Sequence, residues 1–190
     1  MIYLVTRNRQ LFKSEYYEII SLEKSIEIIK SWDLIQFDTE TSGRDPHVCK
    51  ILCAQFGNRK AGIQIVVDTS TIDICNYRNL LETKLIVGHN LKFDIQFLYN
   101  HDIIPENCWD TMIIEQLLHL GFNNKFFHYS LKDVAERRLK IDIDKTTRGE
   151  IIWRGLDDKV VLYAAGDVVH LEDIRDQQMK ECEQKTCKVA

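Results

Sequence analysis

Apolar runs at the N-terminus predict two short strands followed by a helix. Ile2–Val5 and Tyr16–Ile20 are brief runs rich in residues that favour strands. Ser21 stands where a helix N-cap is expected, and apolar residues recur at helical spacing from Leu22 to Trp32. Residues 1–31 are therefore expected to form a small strand pair and a helix that belong to the main domain.

Further short apolar runs and segments with helical periodicity follow along the chain. The runs predicted to be strands are Asp33–Thr39, Lys50–Gly57, Gly62–Val67 and Leu85–Gly88. The segments predicted to be helices are Asn90–Asn100, Thr111–Leu120, Ser130–Leu139 and Asp157–Gln178. Strands first, and a strand–helix alternation afterwards, predict an α/β domain whose helices cover a mixed sheet.

The length and composition indicate one ordinary globular domain. The chain has 190 residues, of which 45% are hydrophobic and 28% charged, and this is enough for one buried core. It contains no apolar run of membrane-spanning length, and its first residues lack the pattern of a signal peptide. We therefore expect an intracellular protein, in the cytoplasm or a viral replication compartment, with no membrane association. Residues 1–176 are expected to form the domain, and residues 177–190 a polar tail or the start of a linker.

Net charge, cysteines and histidines do not indicate a particular chemistry. The formal net charge of −4 is unlike that of proteins that hold phosphates with basic side chains alone. Cysteine and histidine spacing matches no structural zinc site. The cysteines, expected to be free thiols, are Cys49, Cys53, Cys75, Cys108, Cys182 and Cys187. The histidines interpreted as surface or core residues are His89, His119, His128 and His170.

Two acidic side chains lie at the end of the apolar strand that begins at Asp33. Asp38 and Glu40 are two positions apart, so both project to the same side of the strand. Carboxylates held this close repel each other unless they are protonated, paired or bridged by a cation, and hard divalent ions prefer oxygen ligands. Taken alone, the pair is better explained as two acids that face solvent at a strand end.

Two later segments place further candidate residues on helices. Asn90 follows an apolar strand at a position where it would cap a helix, and Asp94 lies one turn later on the same face. Tyr163 and Asp167 have the same spacing in the last predicted helix, so the hydroxyl and the carboxylate can reach one point. Structural explanations also exist: an acid favoured near a helix N-terminus, and a tyrosine packed over a helix.

Together and in this order, the three segments resemble the motifs of the DEDDy 3′–5′ exonucleases. FDTE, NLKFD and YAAGD correspond to the family's motifs on its first strand, at a strand–helix junction and on a late helix. The connecting sequences VGHNLKFD, CWDTM and SLKDVAERRL are most similar to the proofreading domain of family A DNA polymerases, the DNA polymerase I type. Lys145–Trp153 is similar to ribonuclease D-type relatives. The resemblance implies a ribonuclease H-like fold with a central mixed five-stranded sheet flanked by helices.

This resemblance implies that two divalent cations, Mg²⁺ or Mn²⁺, take part in hydrolysis of the terminal phosphodiester. The catalytic residues that it implies are Asp38, Glu40, Asp94, Tyr163 and Asp167, and the four carboxylates among them are the implied metal ligands. One cation would be held by Asp38, Glu40 and Asp167, and the other would be bridged by Asp38, with Asp94 contributing directly or through water. Tyr163 would orient the attacking water, because a side chain with a pKa of about 10 is a poor base at neutral pH.

By the same resemblance, the backbone after Glu40 approaches the 3′-terminal nucleotide. The implied substrate-binding residues are Thr41, Ser42, Gly43, Arg44 and Asn90. Many relatives carry an apolar residue at the position of Arg44, which here is expected to stack on a base or pair with a phosphate. Lys145, Arg148 and Arg154 either contact the DNA backbone or lie in a solvated loop.

The sequence therefore predicts a monomeric, metal-dependent exonuclease that releases nucleoside 5′-monophosphates from single-stranded DNA 3′ ends. Its expected role is proofreading, as a domain of a family A DNA polymerase or as its companion. One alternative keeps the chemistry and changes the substrate to RNA, in the manner of ribonuclease D. Another is a catalytically silent module that only binds DNA or a polymerase, and the presence of all four acids with Tyr163 argues against it.

Overall fold

One seven-stranded sheet organises residues 1–120, 127–143 and 155–186, which the computed structural model describes. The strands are β1 (Ile2–Val5), β2 (Glu18–Ile20), β3 (Leu34–Thr41), β4 (Ile51–Asn58), β5 (Ile63–Asp68), β6 (Leu85–Gly88) and β7 (Asn107–Asp110). The α-helices in these ranges are α1 (Leu22–Lys30), α2 (Arg78–Thr83), α3 (Leu91–Tyr99), α4 (Thr111–Leu118), α5 (Leu131–Leu139), α6 (Asp158–Asp167) and α7 (Leu171–Thr186). None of these helices has the length and apolar character needed to cross a membrane.

The sheet is mixed, and its strand order is β2-β1-β5-β4-β3-β6-β7. β4 runs antiparallel to β3 and β5, and the other neighbouring strands are parallel. The predicted α/β class is confirmed. The expectation of five strands is wrong, because further strands extend the sheet at both edges. β1 and β2 join the same sheet beside β5, where Ile2 pairs with Gln64, and β7 pairs with β6. These strands are short, and the pairing of β1 with β5 joins residues far apart in the sequence, so local patterns do not show their place in the sheet.

Alternating strand residues fill a core on each face of the sheet. On one face, the rings of Phe56 and Tyr77 stack with their centroids 4.9 Å apart. On the other face, α6 packs Ala164 and Ala165 against buried residues that include Cys53 of β4. The small side chains let this helix approach the sheet closely. The last residue of α6, Asp167, therefore lies close to the sheet.

Polar side chains fix where several helices begin. The side chain of Ser21 accepts a hydrogen bond from the backbone of Lys24 at 3.2 Å, which confirms the predicted N-cap of α1. Ser130 and Asp133 form a reciprocal capping box at the start of α5. Asp110 caps α4 by accepting from the backbone N–H of Met112 at 2.9 Å. These starts depend on neighbouring residues and can be recognised from sequence.

The single helix predicted over Asp157–Gln178 is wrong, because the structure forms two helices there. α6 ends at Asp167, and α7 begins at Leu171 after a turn. The backbone N–H of Glu172, in the first turn of α7, donates to Oε1 of buried Gln36 at 2.8 Å. This contact with β3 satisfies an N–H group that a continuous helix would have bonded internally.

Polar residues near the end of the chain belong to the domain. Gln178 is fully buried, and its side chain donates to the carbonyl of Thr111 at 2.7 Å and to Oε2 of Glu115 at 3.0 Å. The last helix runs past residue 176 to Thr186, and Gln178 satisfies buried partners in the domain. The domain boundary itself stays a prediction. Residues 187–190 of the expected tail lie outside the described residues.

Candidate active site

The segments predicted to carry the chemistry meet at one rim of the sheet. β3 and β6 are parallel neighbours, so their C-terminal ends lie side by side. Asp38 and Glu40 lie near the end of β3, while β6 ends at Gly88 just before α3, which carries Asp94. Parallel strands of α/β folds commonly present ligand sites at this end. The predicted acids that line one common cavity are Asp38, Glu40, Asp94 and Asp167.

Three of these acids converge closely enough to share a cation. Asp38, Glu40 and Asp167 each offer a carboxylate oxygen, and these oxygens lie within 4.8 Å of one another. Asp167 is only 7% exposed, so its charge is poorly solvated. Oxygen ligands alone suit a hard divalent ion such as Mg²⁺ or Mn²⁺, and such an ion would offset the repulsion between the carboxylates. The residues present therefore fit a divalent metal site.

Asp94 reaches the cavity from the other face of the sheet. Strand alternation places Thr39 on the face opposite Asp38 and Glu40, and its hydroxyl donates to Oδ1 of Asp94 at 2.6 Å. Both partners are buried. Burial, followed by the negative charge of Asp38, raises the pKa of Asp94 well above its ordinary value, although the hydrogen bond from Thr39 opposes that shift. A cation in the cavity would favour the ionised form of this carboxyl.

Helix α3 starts beside these acids at a residue whose backbone lies in the left-handed region. Asn90 occupies the expected N-cap position with φ of 62°, but its side chain makes no capping hydrogen bond. Its backbone N–H donates instead to Oδ1 of Asp110 at 3.0 Å. Because Asp110 also caps α4, one carboxylate ties the starts of two helices together. These contacts give Asp110 a structural role.

His89 lines the cavity, a placement that the sequence interpretation missed. Its Nδ1 lies 2.9 Å from Oγ1 of Thr111, and its Nε2 lies 2.9 Å from the carbonyl oxygen of Tyr129. These contacts join the end of β6 to the starts of α4 and α5. Both partners are distant in sequence, so their contacts with His89 could not be predicted. The position of His89 directly before Asn90 was the one signal that it lies near the site. The other lining residues outside the predicted set are Thr39, Phe93, Met112, Ser130, Leu131 and Leu171.

Tyr163 does not line the cavity that holds the four acids. It lies one helical turn before Asp167 on α6, so the two share a helix face as predicted. The cavity wall includes Asp167 but not Tyr163. Its role in orienting water therefore stays a prediction.

The predicted substrate-binding loop also lies outside that wall, directly after Glu40. The hydroxyl of Thr41 donates to the carbonyl of Gly43 at 2.6 Å, and the backbone N–H of Ser42 donates to the carbonyl of Lys50 at 2.9 Å. Arg44 is exposed. The loop is held by its own hydrogen bonds while Arg44 points to solvent, and its contact with substrate stays a prediction. The basic residues that lie outside the described residues are Lys145, Arg148 and Arg154.

Residues 16–183 match the sequence profile of a 3′–5′ exonuclease family. This chain belongs to that family. The match spans most of the chain and includes every acid of the cavity, so the predicted membership of the DEDD-type exonucleases is confirmed. Exonucleases of this type use divalent metal ions, which the oxygen-only cluster fits.

The exonuclease is similar to parts of longer curated proteins. It is 33% identical over 156 residues to DNA polymerase I of Aquifex aeolicus (strain VF5), covering 80% of this chain and 25% of that protein. It is 26% identical over 157 residues to ribonuclease D of Bartonella henselae (strain Houston 1), covering 80% of this chain and 37% of that protein. The chain thus spans well under half the length of these curated relatives.

A solved structure shows the same fold. Brucella melitensis NrnC with bound Mg²⁺ superposes with a TM-score of 0.71 at 18% sequence identity, covering 97% of this chain and 82% of that one. The exonuclease therefore has the ribonuclease H-like fold that its motifs implied.

Proposed function

We propose that this exonuclease removes nucleoside 5′-monophosphates from the 3′ end of DNA, as the proofreading activity of a family A DNA polymerase. The supporting observation is the cavity in which Asp38, Glu40 and Asp167 bring ligand oxygens within 4.8 Å of one another, with Asp94 in the same wall. DNA is favoured over RNA because the identity to DNA polymerase I, 33%, exceeds the 26% to ribonuclease D. The activity would reside in one domain of the polymerase or in a monomeric companion to it.

The proposed chemistry divides the four acids between two Mg²⁺ or Mn²⁺ ions. Asp38, Glu40 and Asp167 would hold one ion, and Asp38 would share the other with Asp94. When bound, such ions neutralise the charge of the scissile phosphate and activate the attacking water. The protein's own task is to hold these acids at fixed positions and to orient that water, for which we propose the hydroxyl of Tyr163.

Two neighbouring features would position the 3′-terminal nucleotide. Asn90, at the start of α3, lines the cavity beside the acids. The N–H groups at a helix N-terminus favour binding of a phosphate. The loop Thr41–Arg44 continues directly from the metal-binding strand, and exposed Arg44 can stack on a base or pair with a phosphate. We propose both as substrate contacts.

Trimming of RNA is the second candidate function. The likeness to ribonuclease D favours it, because 80% of this chain aligns with that protein. The same acids would hydrolyse an RNA end by the same route, and the distinction depends on contacts with the 2′-hydroxyl.

Degradation of matched oligonucleotides tests these proposals. Single-stranded DNA and RNA of one sequence, labelled at the 5′ end, are incubated with the protein in Mg²⁺, in Mn²⁺ and in EDTA. We expect stepwise shortening of DNA from its 3′ end with either metal and none in EDTA. Asp38→Asn should abolish shortening, while Asp33→Asn, a matched change at an exposed acid of the same segment, should retain it.

Each contrary outcome has a distinct meaning. Faster shortening of RNA than of DNA would favour the ribonuclease D-like function. Folded protein that shortens neither strand with either metal would contradict an exonuclease, and binding of DNA without cleavage would then indicate a silent module.

A further inference from the structure

A second group of metal-ligating side chains lies away from the nuclease cavity, where the turn Ile74–Tyr77 meets the end of α3. Asp73, Cys75 and His101 each offer one ligand atom, and the three atoms lie within 4.8 Å of one another. None of the three lines the nuclease cavity. We propose that these residues bind one transition-metal ion of the zinc type, independently of the catalytic ions.

The mixture of donor atoms determines the kind of ion. A carboxylate oxygen, a thiol sulfur and an imidazole nitrogen are common zinc ligands, whereas Mg²⁺ prefers oxygen alone. Zinc lies at about 2.0–2.3 Å from such donors, so small side-chain rotations suffice to bring the three atoms around one ion. Three protein ligands leave a fourth tetrahedral position for water.

Hydrogen bonds already fix the backbone on both sides of the proposed site. Oδ1 of Asp73 accepts from the backbone N–H of Cys75 at 2.9 Å, which holds the turn. The guanidinium of Arg78 donates to the carbonyl of His101 at 2.8 Å and to that of Asp102 at 2.6 Å, which holds the end of α3. Ligands whose backbone is fixed in this way lose little freedom when a metal binds.

The charges of the site balance when the thiol loses its proton. The carboxylate of Asp73 and the thiolate of Cys75 would neutralise a divalent ion, with His101 as a neutral ligand. In the metal-free protein Sγ of Cys75 makes long contacts, 3.7 Å to the carbonyl oxygen of His101 and 3.9 Å to Nη2 of Arg78. Within the described part of the chain, no hydrogen bond uses the ring nitrogens of His101. Helix capping explains the position of Asp73, but it does not explain why Cys75 and His101 converge on it.

Arg78 is compatible with a bound cation because its own partners are elsewhere. Its Nη2 lies 3.9 Å from Sγ of Cys75, but the guanidinium is held by the two backbone carbonyls. It would lie beside the thiolate as a hydrogen-bond donor and would not occupy the ligand position. The metal would therefore link the turn to α3, the helix that carries Asp94, and would stabilise the fold without entering the chemistry.

Cobalt binding tests the site, because a thiolate bound to Co²⁺ gives a near-ultraviolet charge-transfer band that oxygen ligands do not give. The intact chain, freed of metal by a chelator, is titrated with Co²⁺ and then with Zn²⁺ or Mg²⁺. We expect one equivalent of Co²⁺ to produce the band, Zn²⁺ to remove it, and excess Mg²⁺ to leave it. Zn²⁺ should also raise the melting temperature of the wild-type protein.

Variants assign the band to these residues. Cys75→Ser and His101→Gln should each lose the band and the Zn²⁺-induced rise in melting temperature. Cys108→Ser, a matched change at an exposed cysteine, and Asp38→Asn, in the nuclease cavity, should keep both. The proposal is overturned by absence of the band in folded wild-type protein, or by a band that persists in both folded ligand variants.

Discussion

The hydroxyl of Thr39 donates a 2.6 Å hydrogen bond to Oδ1 of Asp94, and both side chains are at least 95% buried. The bond links the middle of the DxE strand to the first turns of α3. Because Thr39 points away from Asp38 and Glu40, it holds the fourth acid from the opposite face of the sheet. One strand thus supplies two of the proposed metal ligands and the group that positions a third.

Removal of this hydroxyl should slow the enzyme. Thr39→Val keeps the shape of the side chain but removes the hydroxyl that donates to Asp94. We expect activity to fall roughly 10- to 100-fold, the equivalent of one hydrogen bond to a charged group. Thr39→Ser restores a donor and should recover most of the rate. The measurement is the initial rate of DNA shortening as a function of Mg²⁺ concentration, and equal rates for the valine and serine variants would contradict the role of the hydroxyl.

Asp94 should make the metal-free protein less stable as the pH rises. Burial and the charge of Asp38 raise its pKa in the folded state, so the folded chain binds this proton more tightly than the unfolded chain. The stabilisation is present in acid and is lost as the pH rises above the ordinary value of about 4, with a slope of at most about 1.4 kcal/mol per pH unit. Urea unfolding in EDTA measures the slope, which Asp94→Asn should flatten and Asp33→Asn should leave unchanged.

Glu115 should contribute stability that depends on its negative charge. Burial alone would raise its pKa, but hydrogen bonds from Gln178, Arg138 and Arg137 outweigh that effect, and the net pKa is lowered. Its stabilisation is therefore present above the ordinary Glu value of about 4.3 and is lost as the pH falls. We expect Glu115→Gln to lower the free energy of unfolding by about 3 kcal/mol at neutral pH, with a smaller difference in acid.

An exposed ion pair provides the control for that experiment. Glu27 pairs with Lys24 at 3.0 Å, but their side chains are 72% and 56% exposed. Glu27→Gln should change the free energy of unfolding by less than about 1 kcal/mol. Equal effects of the two substitutions would show that the buried contacts of Glu115 add nothing beyond surface charge.

Gly88 should tolerate no side chain, because β6 ends in close contact with its neighbours. An added Cβ would lie 2.2 Å from Cδ2 of Leu91 and 2.9 Å from the backbone oxygen of Phe37. The leucine can rotate but the strand carbonyl cannot easily move, so Gly88→Ala should cost about 1–3 kcal/mol. A Cβ added at Gly166 would meet no atom of the described residues within 4 Å, and Gly166→Ala in α6 should be neutral or stabilising. Thermal unfolding of both variants gives the comparison.

Tyr163 should affect turnover and leave folding unchanged. If its hydroxyl orients the attacking water, Tyr163→Phe lowers kcat roughly 10- to 100-fold with little change in KM. Tyr99→Phe, at an exposed tyrosine of α3, should leave both constants unchanged. An unchanged kcat in Tyr163→Phe would assign the tyrosine a packing role only.

Interactions between residues close in sequence allowed part of the structure to be predicted. The N-cap of Ser21, the acids Asp38 and Glu40 on one strand side, and the turn spacing of Asn90 and Asp94 all follow from residues within a few positions of one another. Hydrogen bonds and side-chain direction at this range are set by the period of a helix or a strand. Local spacing defined the three segments, and their resemblance to the DEDDy motifs then implied which acids to name.

Tertiary structure decided how these pieces meet. The seven-strand order, the placement of His89 against Tyr129, and the burial of Gln178 beside Glu115 all join residues far apart along the chain. The last helix divides where it does because Gln36 on β3 accepts from the first turn of α7. Such contacts form only when the sheet and its helices pack together. Sequence determined which residues could act, and packing decided that their charged and polar groups share one cavity.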